Sequence, residues 1–180
     1  MASTMKQGLY AYITVTMAYW AFMLTDGALR MLVLLHFHAN GFSPIELAYL
    51  FLLYEVAGIV TNLTAGWLAA RFGLSMTLYS GLFIQIIALV ALTFLQPDWP
   101  AALALVFVMV IQGLSGVAKD LAKMSSKSAV KYLAPDESHT LFKWVAILTG
   151  SKNAIKGLGF FCGAALLSWT GYNGALWTMA

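Results

Sequence analysis

Long apolar runs dominate this chain, and they leave it few ways to fold. Crossing a bilayer as a helix takes roughly 20 mostly apolar residues. Five stretches meet that length: Leu9 to Phe37, Pro44 to Ala70, Leu74 to Leu95, Ala101 to about Leu121, and Trp144 to Trp169. A sixth is expected to start at about Gly174, in "GALWTMA". Only 9% of the 180 residues are charged, against about a quarter in a soluble domain. The expected class is therefore an all-α membrane protein.

The breaks between runs have local causes. "ANGFSP" carries Asn-Gly and Ser-Pro turn chemistry, and Pro44 suits the first turn of the second helix. "QPDWP" is a tight connection with two prolines. "APDES", residues 134–138, holds a proline, a capping residue and acids, and the fourth helix is expected to continue to Leu133 as a polar extension. The first run is too long for a signal-peptide core and has no small-residue cleavage site after it, so it should stay as a helix. Cys162 is the single cysteine, which excludes an internal disulfide framework. Lys6, Arg71, Lys123, Lys127, Lys131 and Lys143 flank alternate connections, whereas "ANGFSP" and "QPDWP" have no Lys or Arg. The positive-inside rule then predicts a cytoplasmic N-terminus in a multi-pass protein of the inner membrane.

Charges in the runs are the informative exceptions. A cation or carboxylate at the centre of a bilayer costs about 2.5–3.5 kcal/mol on insertion scales, and such residues normally face a bundle interior or a water-filled cavity. The first helix has Asp26 and Arg30, four apart on one face, which could form an intrahelical pair. The second has Glu55, followed on one side by Gly58, Asn62 and Gly66; Glu55 could instead be a neutral packing group. The fourth has Gln112, Ser115, Lys119 and Lys123 along a stripe, with Asp120 turned about 100° from Lys119. Lys127 and Lys131 continue that series as a solvated face. The fifth carries Lys152 and Lys156 one turn apart in mid-run, where snorkelling to an interface is difficult. Gly159 and Gly163 extend their face and suit close helix packing.

If these groups share one cavity, its cations exceed its acids. An unpaired buried cation must be neutralised or meet an anion. The residues expected to bind an anionic organic substrate are thus Arg30, Lys119, Lys123, Lys152, Asn153 and Lys156, with Asp26 and Glu55 as proton carriers. His36 and His38 lie two apart and point away from each other on a helix, so no metal site is expected. "TGSKN" lacks the upstream glycine and strand of a phosphate-binding loop. No nucleophile–base pair suggests an enzyme, and no cofactor or nucleic acid is expected.

"GWLAARFGL", residues 66–74, resembles the loop 2–3 signature of the major facilitator superfamily, with Ala70 in place of its acidic residue. "QGLSGVA" resembles the fourth-helix motif without its arginine. Gly150, Gly159 and Gly163 match spacings of the antiporter signature, with Ala164 in place of its proline. "YWAFMLTDGALRMLVLLHFH", "VTNLTAGWLAARFGL", "QGLSGVAKDLAKMSSKSAVK" and "WVAILTGSKNAIKGLGFF" are similar to the organoarsenical-efflux permeases of that superfamily, the ArsJ type. The resemblance spans nearly the whole chain. It implies the N-terminal half of a twelve-helix transporter. It further implies export of 1-arseno-3-phosphoglycerate, a compound that a soluble glyceraldehyde-3-phosphate dehydrogenase makes from arsenate. Proton antiport is the expected coupling. Export of another organophosphate or a drug is the alternative within transport; a non-transporting membrane scaffold is the alternative outside it.

Overall fold

A computed structural model describes the backbone of residues 2–133 and 138–180, and the side chains of 8–133 and 141–180. Most of the expected break at 134–138, and the Lys6 side chain, lie outside the described residues. Six helices follow in order: α1 Ala2–Ala39, α2 Pro44–Leu50, α3 Leu52–Phe72, α4 Leu74–Leu92, α5 Ala101–Leu133 and α6 Ser138–Met179. No strand occurs among the described residues.

The turn chemistry acts as expected at α2. Ser43 Oγ accepts from the Glu46 N–H while Glu46 Oε2 accepts from the Ser43 N–H at 2.8 Å, a reciprocal cap with Pro44 in the first turn. The single helix expected over 44–70 is interrupted, however. Phe51 sits at φ −103°, ψ −2°, and its N–H bonds to Ala48 O at 3.2 Å, tightening the turn between α2 and α3. Between α3 and α4 the chain reverses at Gly73, whose φ of 87° is left-handed. The run expected from Leu74 to Leu95 ends, as α4, at Leu92, and the next three N–H groups bond back three residues to the carbonyls of Val90, Ala91 and Leu92.

Across its 33 residues α5 runs unbroken to Leu133. At 1.5 Å per residue it is about 50 Å long, against a hydrocarbon core of about 30 Å. Ser138 to Met179 contains one non-helical residue, Gly171 at φ 70°, ψ −177°, which divides α6 into a long first arm and a short second arm. This division matches the expected fifth and sixth segments, with the first arm starting at Ser138 instead of Trp144.

Four helical stretches are long and apolar enough to cross a membrane: Gly8–Ala39, Pro44–Phe72, Leu74–Leu92 and Ala101–Leu133. That is the pattern of a multi-pass membrane protein. The expected fifth span, 144–169, is helical but falls outside this set among the described residues. Its lysines, glycines and serines dilute the apolar content that its length suggested.

Close backbone approach joins the helices. A Cβ at Gly159 would strike Leu24 O, and one at Gly163 would strike Ala28 O, so α6 lies almost in backbone contact with α1. Gly116 likewise admits the Tyr54 backbone, and Gly81 the Ala118 carbonyl. Two apolar clusters result. One gathers Leu32, Phe37, Leu50, Leu92 and Val108; the other gathers Tyr12, Phe22, Leu78, Ala122 and Leu148. Asp26 lies between the two along α1, with Arg30 one turn further on at the edge of the first. Large apolar side chains on the periphery, Leu63, Phe83, Phe161 and Trp169 among them, are exposed as lipid-facing positions would be.

A candidate anion-binding cavity

The stripe Tyr19, Met23, Asp26, Arg30 follows the i, i+4, i+7, i+11 spacing of one helix face. It points α1 at α3, α5 and α6. At that level a cavity of about 240 Å³ is lined by Tyr19, Met23, Arg30, Glu55, Lys119, Lys123, Lys152, Asn153 and Lys156. All six residues expected to bind substrate therefore line one space, together with Glu55.

Asp26 backs the cavity and is almost fully buried. Its Oδ2 accepts from Lys156 Nζ at 2.6 Å and its Oδ1 from the Tyr54 hydroxyl at 2.5 Å. Arg30 pairs with Glu55 of α3. The possible intrahelical Asp26–Arg30 pair is not formed. Both oxygens of Asp26 are engaged by α3 and α6, and the longer arginine reaches past it to Glu55. Asp120 holds Lys123 at 3.0 Å. Lys119 Nζ lies 3.7 Å from Asp120 Oδ2 and 3.9 Å from Glu55 Oε2; its long stem overcomes the angular offset between neighbouring residues. Gly58 makes room here, since a Cβ would come within 2.7 Å of Asp120 Oδ2.

Tyr54 ties these pairs together. The Arg30 guanidinium lies 4.1 Å and the Lys119 ammonium 4.2 Å from its ring centroid, both within cation–π range. Its hydroxyl meanwhile serves Asp26. Sequence reasoning missed Tyr54, which reads as one more core aromatic. It also missed Tyr19, which the stripe through Asp26 and Arg30 could have found.

Five cations thus meet three carboxylates. Among the described residues Lys152 has no acidic partner within 4.0 Å. On this partly exposed wall the surplus favours an oxygen-rich anion. Gln112 and Ser115 do not join the site: both are buried, and Ser115 Oγ donates to Gln85 Oε1 of α4 at 2.7 Å. Asn62 and Gly66 face outward. His36 stacks on Tyr172 beside a separate cavity of about 380 Å³ at the loop end, whose lining includes no Lys, Arg, Asp or Glu. Among the described residues no group of three His, Cys, Asp or Glu side chains converges.

No protein-family model, curated protein or solved structure matches the chain.

Proposed function

We propose that this chain belongs to a secondary transporter that exports an organic polyanion from the cell across the inner membrane. The observation that carries this reading is the cavity between α1, α3, α5 and α6, with Arg30, Lys119, Lys123, Lys152 and Lys156 on its wall and Asn153 among them. A scaffold has no use for such a cluster, and a cation exporter needs the opposite charge. Ammonium and guanidinium groups hold phosphate and carboxylate oxygens by charge-assisted bonds. Asp26 and Glu55 hold Lys156 and Arg30 while the site is empty, and either carboxylate can take up a proton, which we assign to coupling between proton and anion movement.

The resemblance to organoarsenical-efflux permeases supports a particular substrate, 1-arseno-3-phosphoglycerate, whose arsenate, phosphate and carboxylate groups suit these cations. A soluble glyceraldehyde-3-phosphate dehydrogenase then supplies the substrate. The test uses inverted membrane vesicles containing the full-length protein, with the dehydrogenase, its substrates and arsenate outside. Arsenic should accumulate in the vesicles only when the dehydrogenase is active. Uptake of free arsenate without the enzyme, or no uptake with it, would overturn the assignment.

A further inference from the structure

Tyr19 is a cavity-lining residue with unfinished hydrogen bonding. The side chain is fully buried, at 0% exposure, and its hydroxyl has no partner among the described residues. Arg30 Nε is a second buried donor without a partner on the same cavity. The Tyr19 hydroxyl lies in the field of Asp26 and Asp120, the two carboxylates that hold Lys156 and Lys123. Buried polar groups are normally satisfied, so an orphan donor on a cavity wall marks a place where an acceptor belongs. Two orphan donors on a wall rich in ammonium groups call for the same chemistry, an anionic oxygen.

We propose that Tyr19 contacts the ligand directly, its phenolic hydroxyl donating a hydrogen bond to the anion that Lys152 and Lys156 attract. The inference rests on the reading of this cavity as an anion site and adds a specificity element to it. Lysine ammoniums attract any anion, with little angular demand. A hydroxyl on a fully buried ring donates only to an acceptor within reach of its fixed oxygen, so it selects among anions by shape. A halide can accept the same bond, but only an anion with several oxygens can meet the Tyr19 hydroxyl and the lysine ammoniums from separate atoms at once.

The experiment measures binding of 3-phosphoglycerate to the purified full-length protein by calorimetry, alongside the melting temperature of the ligand-free protein. Tyr19→Phe keeps the ring and removes only the hydroxyl. It should weaken binding about tenfold or more, while the melting temperature stays level or rises because an unsatisfied buried group has been removed. Chloride inhibition of binding should become stronger, relative to wild type, as selectivity for the oxyanion falls. Lys152→Met serves as the reference for the site itself. If Lys152→Met weakens binding and Tyr19→Phe binds as wild type does, the Tyr19 inference is overturned and the anion site stands. A lowered melting temperature with unchanged affinity would likewise make the hydroxyl structural, satisfied by a buried water. If wild type fails to bind 3-phosphoglycerate, both the site reading and this inference fall.

Discussion

Lys156 and Asp26 stand 130 residues apart in sequence and 2.6 Å apart in space, and the carboxylate is 1% exposed. Removing one partner of such a pair leaves the other uncompensated, which costs about 3–5 kcal/mol when both are fully buried. The Lys156 side chain is 21% exposed, so the loss here should be smaller. Lys156→Met alone should therefore lower the melting temperature, whereas the double change Asp26→Asn, Lys156→Met should recover most of it. A double variant as unstable as the single would show that the pair is not what holds these helices at this level.

Lys152 gives the contrasting case. With no acid to compensate among the described residues, Lys152→Met should leave folding and membrane levels intact. Anion affinity should fall about ten- to a hundredfold, the worth of one charge-assisted bond. Arsenate resistance in a sensitive cell that also makes the dehydrogenase should fall with it. Full resistance in the Lys152→Met strain would remove Lys152 from the site.

The pairing fixes the sign of proton linkage. Asp26 and a bound anion compete for one ammonium, so protonating Asp26 releases Lys156 to the anion. Affinity for 3-phosphoglycerate should therefore tighten on acidification. Asp26→Asn should flatten this share of the dependence, and it controls for titration of the ligand. Glu55 stands in the same relation to Arg30. Tighter binding at low pH loads proton and anion together; it would replace proton exchange by co-transport, with the membrane potential driving the polyanion outward. Weaker binding at low pH would support exchange and exclude Asp26 as the group that sets it.

Helix packing offers a test independent of charge. Gly159→Ala and Gly163→Ala push a methyl into the α1 backbone at Leu24 and Ala28, where nothing flexible can yield. Each should destabilise the fold by at least about 1–3 kcal/mol. Gly157 has open space around its Cβ position, and Gly157→Ala should be neutral or stabilise by up to about 1 kcal/mol. Equal melting temperatures for all three variants would contradict the close α1–α6 crossing.

Topology is tested by labelling single cysteines with an impermeant thiol reagent in a Cys162→Ala background. Tyr132, 82% exposed at the end of α5, should be protected in intact cells, and the exposed Asp98 between α4 and α5 should react. Reaction at 132 with protection at 98 would invert the orientation.

Much of this arrangement was legible because it follows from periodicity and length. The apolar runs placed the helices, and the depth and shared faces of Arg30, Lys119, Lys152 and Lys156 placed the cations on one cavity. What escaped depends on partners far away in sequence. Asp26 had Arg30 one turn off as an obvious mate, yet Tyr54 and Lys156 take its oxygens. The break at Phe51 has neither glycine nor proline to announce it. Hydropathy ranked α6 below the other spans, although the length of its run suggested their equal, because two lysines and close-packing glycines replace apolar bulk there.

No glycine or proline interrupts α5 between Lys119 and Leu133. The segment from Lys123 to Leu133 is therefore a stiff arm about 15 Å long, rooted in the cavity wall. The same helix thus carries two cations of the cavity wall and the polar segment beyond it in one unbroken run of backbone hydrogen bonds.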